Sequence, residues 1–342
     1  MLILELFDVK FLRLIPLIFL LALVQSCSSP IVLKVSPTTE KPTTTVPVVP
    51  CPLTGLQAPN NVVPTRPAIA VKVDNYPNAR PQSGLNNADI VFEEPVEGFI
   101  TRYVAVFQCQ SPPLVGPVRS ARLIDVGILD ELSKPIFIHA GGINPVVSAV
   151  NQANDIENNL FTHSQLEQNP PGRYAPYDTY VVPSKVWQFN SSDTLPPAPI
   201  FDYAFATPAG QKVTSINIDY SPTNNGTWTW NGQSWTLSYN GATQLDASGT
   251  PINAANVVIE KESVTFGPWV ENSEGGLEVV ASQTGTGKAS VFRNGLEIDG
   301  TWSRPSLDGA PILTDSNGNQ IPLNPGRTWV EIVPDQVSVT VS

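Results

Sequence analysis

Apolar residues fall along this chain in three textures. From Leu14 to Val24 they run unbroken. From Ser28 to Pro50 they are scattered among Pro and Thr with no period, and beyond Cys51 they form short blocks parted by Gly, Pro and Asn. The blocks after Cys51 predict alternating strands and helices. AIAVKVDN (68–75) reads as a buried strand ending in polar Asp74 and Asn75. ADIVFEEPV (88–96) and ITRYVAVFQ (100–108) read as a hairpin turning through Glu97-Gly98. After the Gly116-Pro117 break, VRSARLIDVGILDELS (118–133) carries Leu123, Val126, Ile128, Leu129 and Leu132 at helical spacing, which predicts a helix with Arg119 and Arg122 in its first turn. KPIFIHA (134–140) reads as a strand, Gly141-Gly142 as a turn, and Asn144 opens a helix with Pro145 at its start.

The pattern then changes. Residues 161–199 are rich in Pro, Asn and Ser and read as a long connection over the surface. From about Pro199 onward the blocks alternate with period two. TWTWNGQSWTLSYNG (227–241) contains an Asn231-Gly232 pair that favours a tight hairpin, and NVVIEKESV, GLEVVAS, GKASVFRNGLEIDGTWSR and RTWVEIVP follow. The fold class expected is α+β: a layered mixed α/β N-terminal domain over 51–198, then a mostly antiparallel β C-terminal domain over 199–342, as a sandwich or small barrel.

Location follows from the first two textures. Lys10 and Arg13 precede the apolar run, which is short for a span of about 20 residues and suits the core of a secretory signal. Val24-Gln25-Ser26-Cys27 then resembles a bacterial lipobox, so residues 1–26 read as a lipoprotein signal peptide and Cys27 as the lipidated residue. A short membrane anchor is the alternative. The Pro/Thr-rich stretch 27–50 cannot bury a core and reads as an extended tether. With Cys27 acylated, Cys51 and Cys109 remain of the three cysteines. In an oxidising compartment they form a candidate disulfide, with two independent thiols as the other reading. The formal net charge of -11 and the absence of a basic stripe argue against nucleic acid as a partner.

Several runs carry a resemblance. VDNYPNARPQSGLNNADIVFE, PVEGFITRYVAVF, GPVRSAR and HAGG resemble the YerB-like family of bacterial lipoproteins, and GTWSRPS with LNPGRTWVEIVP is similar to that family's second domain. Two positions depart from the pattern: Phe99 stands where the family has a second Gly, and Tyr76 where His is common. The resemblance implies a lipid-anchored extracytoplasmic protein on the outer face of the bacterial cytoplasmic membrane, with an α/β first domain. It implies no activity.

Candidate chemistry lies at the ends of the first-domain segments, where ligands gather in layered α/β folds. Asp74 and Asn75 end one strand, and Arg80, Gln82 and Ser83 follow it. Glu93 and Glu97 lie toward the hairpin turn, with Arg102 in the partner strand. Arg119, Ser120 and Arg122 sit together, and His139, Gly141 and Gly142 end the next strand. Arginines concentrated in so acidic a chain suit a carboxylate or phosphate ligand. They equally suit an internal ion-pair network, with Arg122 on Asp125 and Arg102 on Glu93 or Glu94. The expected partners are an anionic small molecule, a cell-wall glycan or an envelope protein.

Catalysis is weakly supported. There is no GxSxG, only His139 and His163 are available as imidazole bases, and two isolated histidines do not make a zinc site. TGTGKAS (284–290) lacks the first Gly and the hydroxyl after Lys of a phosphate loop. Nothing requires a cofactor. The surviving enzymatic alternative is a cell-wall or polysaccharide hydrolase using paired carboxylates among Asp74, Glu93, Glu94 and Glu97. Six of seven tryptophans lie in the β half, either as core and cross-strand pairs or as a sugar-stacking face.

Overall fold

Alternation on the strand Ile69–Asp74 (β1) sets the layering. Ile69, Val71 and Val73 enter one buried cluster, while Ala70 enters a second on the opposite face, in phase with Lys72 and Asp74. A strand covered on both faces belongs in the middle of a sheet. The computed structural model describes residues 47–342 apart from Thr207 and Asp308. Cys27, the leader and the tether up to Val46 lie outside the described residues.

In the first half β1 is followed by β2 (Ile90–Pro95), β3 (Thr101–Phe107), β4 (Ile136–His139) and β5 (Ile156–Asn159), with helices α1 (Ile124–Asp130), α2 (Asn144–Val150) and α3 (Pro183–Phe189). The second half supplies β6 (Ser215–Ser221), β7 (Asn224–Trp230), β8 (Trp235–Tyr239), β9 (Asn256–Glu262), β10 (Val264–Val270) and β11 (Leu277–Ala281). It ends with β12 (Gly285–Arg293), β13 (Leu296–Arg304), β14 (Ile312–Asp315), β15 (Thr328–Pro334) and β16 (Ser338–Val341). This is the α+β architecture expected, with a mixed first half and a mostly antiparallel second.

The two halves share one sheet. Its order is β14-β13-β12-β9-β15-β2-β3-β1-β4-β5, with the short strand Gln211–Lys212 beside β13. The joint is β15, which runs parallel to both β9 and β2, with Val91 opposite Trp329 and Glu93 opposite Glu331. Helices α1 and α2 cover one face through Ile124, Ile128, Leu129, Val146 and Val150. A second, antiparallel sheet built on β8-β7-β6-β16 covers the other through Ile216, Ile218, Trp228, Trp235 and Leu237, together with Val186 and Trp187 of α3. The connection 161–199 is thus partly a core element: Trp187 is buried and donates to the Pro67 carbonyl.

Of the six tryptophans in the second half, four join Trp187 in the core. Trp228, Trp235, Trp302 and Trp329 are buried, and Trp329 meets Tyr103 and Trp228 edge-on with centroids 5.1 Å apart in each pair. Each such contact adds roughly 0.5–1.5 kcal/mol to area burial. Only Trp269, on the β10–β11 ribbon, stands exposed among them. Cys51 and Cys109 are joined as a disulfide, with Cα atoms 6.2 Å apart.

The helix expected over 118–133 is much shorter. Residues 118–121 are extended because the ends of β1 and β4 claim their backbone. Arg119 N–H donates to the Lys72 carbonyl at 2.9 Å, Ala140 N–H donates to the Arg119 carbonyl at 2.9 Å, and Ala121 N–H donates to the Gly141 carbonyl at 2.9 Å. The segment is wedged between two parallel strands where they splay. Tertiary hydrogen bonds outweigh a helical period here, so Arg119 and Arg122 precede the helix. The β7–β8 turn also differs: Trp230 faces Trp235 across four residues, and the Asn231 side chain accepts from the Gln233 and Ser234 amides.

Candidate functional site

The wedge carries Arg119 to the carboxyl end of β1, beside an open cleft of about 750 Å3. Asp74, Arg102, Arg119, Glu97, Tyr76 and Tyr177 line it, and the turn of the β10–β11 ribbon adds Asn272 and Glu274. A groove of about 570 Å3 elsewhere is walled mainly by prolines with Phe201, Tyr203 and Phe205, and lacks convergent charge. The polar cleft is the candidate site.

The two arginines that line it, Arg102 and Arg119, and the adjacent Arg122 are held differently. Arg122 is 4 % exposed and sealed: Nε and Nη2 donate to the two Glu97 oxygens at 2.9 and 2.6 Å, and Nη1 lies 3.2 Å from Glu271. Burial alone would raise the Glu97 carboxyl, yet the Arg122 hydrogen bonds and the Arg102 charge hold it at about 2. Arg102 donates from Nη1 to the Ser120 carbonyl at 3.0 Å, but its nearest carboxylate oxygen, on Glu97, is 3.7 Å away. Burial and the repulsion of Arg122 bring it down to about 10. Arg119 is the open one, 29 % exposed, its Nε 2.9 Å from Asp74 Oδ2 and its guanidinium 5.9 Å from the Tyr177 ring. Asp74 in turn accepts from the Tyr76 amide.

Below the cleft floor lies an ion cluster that pattern reading missed. Lys72, fully buried, reaches Glu94 and lies 2.7 Å from Asp125. Burial lowers its amine to about 8 against the opposing pull of Asp125. The Asp125 carboxylate also accepts from the Arg122 amide at 2.7 Å. A lysine inside the apolar run AIAVKVD was the available signal, since a buried strand carries a charge only when partners await it.

The remaining candidates lie away from the cleft. Asn75 donates to Thr101 and Tyr239, Arg80 donates to Asn75 and lies over the Tyr239 ring at 4.1 Å, and Gln82 donates to the Asp74 carbonyl. They belong to a buried network between the sheets. At its centre Glu93 accepts from Thr101, Tyr239 and Trp329. Burial raises Glu93, and burial with the Glu93 charge raises Glu331, which accepts from Trp228 and Tyr220. Ser83 exchanges backbone hydrogen bonds with Gly116. His139 is enclosed, with Nδ1 2.8 Å from the Gly141 carbonyl and Nε2 2.8 Å from Glu157. Ser120 bonds the Ala140 carbonyl, and Gly141 and Gly142 form the turn at positive φ. Of the fourteen candidate ligand-binding residues, then, Asp74, Glu97, Arg102 and Arg119 share the cleft. The carboxylates Glu93 and Glu94 point to opposite faces of β2 and do not converge with them. Among the described residues no group of three or more His, Cys, Asp or Glu is placed to hold a metal ion.

Family models match twice: the protein of unknown function (DUF3048) N-terminal domain over residues 53–195, and its C-terminal domain over 216–330. The YerB protein of Bacillus subtilis, whose name carries a provisional lipoprotein designation, is 32 % identical over 305 residues, which cover 85 % of this chain and 88 % of that one. The chain belongs to the YerB-like family. The crystal structure of Bacillus subtilis YerB superimposes with a TM-score of 0.73 at 27 % identity, covering 85 % of this chain and 99 % of that one. Both family regions build the cleft: Asp74, Arg102, Arg119 and Tyr177 come from the first, Asn272 and Glu274 from the second. One departure from the YerB-like pattern now has a physical meaning. Phe99 follows Gly98 in the turn, and both take positive φ, 52° and 70°. A glycine adopts that backbone without strain, whereas Phe99 is held there with its ring 5.9 Å from Phe266 of the ribbon. No helix among the described residues is long and apolar enough to cross a membrane.

Proposed function

We propose that this is a lipid-anchored protein of the outer face of the bacterial cytoplasmic membrane that binds the anionic group of a small molecule or cell-wall glycan in the Arg102–Arg119 cleft. In this reading the leader 1–26 is removed, Cys27 carries the lipid, and 27–50 lifts the body off the membrane. The Val-Gln-Ser-Cys motif and the designation of the Bacillus subtilis relative support the address. The observation that carries the binding role is the contrast among the arginines. Arg122 is saturated by carboxylates, while Arg119 opens into the cleft beside an Arg102 whose nearest carboxylate oxygen, on Glu97, is 3.7 Å away. A guanidinium with free donors facing a concave site suits a carboxylate or phosphate. Hydrolysis is less well supported. Glu97, held at about 2, carries no proton to donate near neutral pH, and Glu93 lies between the sheets.

Calorimetry on the full chain in detergent, with acetate, inorganic phosphate and wall-derived fragments as probes, tests the reading. Arg119→Ala should weaken binding about tenfold, the scale of one charge-assisted contact, with melting within about 3 °C of wild type. Equal affinity in wild type and variant would remove the seat.

A further inference from the structure

The lining of the cleft has a charge balance that selects among anions. Two guanidiniums, Arg102 and Arg119, face three carboxylates, Asp74, Glu97 and Glu274. Two of the carboxylates are engaged: Asp74 by Arg119, and Glu97 by Arg122. Glu274 is different. It projects from the exposed turn of the ribbon and accepts from the Ser273 hydroxyl at 3.2 Å, and among the described residues it has no cationic partner. A dianion seated on the arginines would meet a negative wall. A ligand that brings its own cation would not. The same lining includes Tyr76, Tyr177, Val96 and Ile100, which suits hydrocarbon or peptide planes rather than a bare ion. The volume, about 750 Å3, lies within the range of sites for small organic ligands.

Resting on the binding role above, we infer that the ligand is zwitterionic, a short peptide with free termini whose carboxylate meets Arg102 and Arg119 and whose ammonium meets Glu274. The ribbon turn is then part of the recognition surface. Its place is fixed by contacts at its two ends: Glu271 pairs with Arg122, and Glu278 accepts the Leu123 amide at 3.0 Å.

The experiment is calorimetry on the full chain in detergent with four probes: trialanine, its N-acetyl form, its C-terminal amide, and inorganic phosphate. Trialanine should bind at least about tenfold more tightly than either blocked form or phosphate, as loss of one charge pair in a semi-enclosed site predicts. Glu274→Gln should lower trialanine affinity to that of the N-acetyl form while leaving the N-acetyl affinity and the melting temperature unchanged, because the side chain is exposed. If the N-acetyl form or phosphate binds as tightly as trialanine, the zwitterion is overturned while the arginine seat stands. If the amide binds as tightly as trialanine and Arg119→Ala changes neither, the seat falls with it. Absence of binding by all four probes overturns both.

Discussion

Arg122→Ala should be far more damaging than Arg119→Ala, although the two residues are three positions apart. The substitution strips Glu97 of two hydrogen bonds at 2.9 and 2.6 Å and Glu271 of a contact at 3.2 Å, and leaves both carboxylates in buried surroundings. Removing one partner of a buried pair costs about 3–5 kcal/mol. A second route gives the same scale: holding Glu97 at about 2 instead of 4.5 corresponds to roughly 3 kcal/mol between its two protonation states. For a chain of this size about 3 kcal/mol lowers melting by roughly 6–12 °C. Arg119, 29 % exposed and paired once, contributes under about 1 kcal/mol, or at most a few degrees. Scanning calorimetry at pH 7 measures both. The pH dependence adds a second check. A carboxylate whose folded pKa is depressed stabilises above its unfolded value, and that stability is lost as pH falls from 4.5 toward 2. The gap between wild type and Arg122→Ala should therefore narrow at pH 3. Equal melting of the two variants at pH 7, or a gap unchanged at pH 3, would show that the Arg122–Glu97 pair does not carry this energy.

Two further outcomes are expected. Burial pushes Glu131 to about 8 against the Arg304 charge, and burial with the neighbouring Glu271 carboxylate, which favours the protonated form, pushes Glu278 to about 8; groups raised this way stabilise fully below about 4.5 and lose that contribution as pH climbs to 8, so chemical denaturation should show stability falling from pH 5 to 8, and a rising profile would contradict the burial of these acids. Cys27→Ala should move the protein from the membrane pellet to the soluble fraction, and a variant that stays in the pellet uncleaved would make the apolar run a span instead of a signal.

Strands β1 to β4 could be read from the chain because each is a short apolar run closed by polar residues, whereas β5, Ile156–Asn159, holds a single apolar residue and carries no such signal. Ile90–Pro95 and Thr101–Phe107 lie where the hairpin pattern puts them. The wedge 118–121 could not be read, because its conformation is set by the Lys72 and Gly141 carbonyls and the Ala140 amide, which are distant in sequence. The separation of Arg119 from Arg122 has the same origin. Their spacing says that they are neighbours, while the partners that seal Arg122 come from the hairpin turn, at Glu97, and from the ribbon, at Glu271. The ribbon's part in the cleft was also hidden, since GLEVVAS reads only as another strand. His139 drew attention as one of two histidines, yet its ring serves to tie Glu157 to the Gly141 turn.

The strand β15 has a consequence for how the protein comes into being. The first half leaves the edge of β2 open until Thr328–Pro334 arrives, and that strand is joined on its other side to β9 of the second half. A chain made and released from its N-terminus must be almost wholly out before this central sheet can close. Until then an apolar strand edge is available to neighbouring chains, a period of risk for mispairing. A chain cut short by as few as fifteen residues, before Thr328, would lose the hinge pin rather than a tail. The two regions recognisable as separate sequence modules thus have one shared birth, and the first is not finished until β15 of the second has arrived.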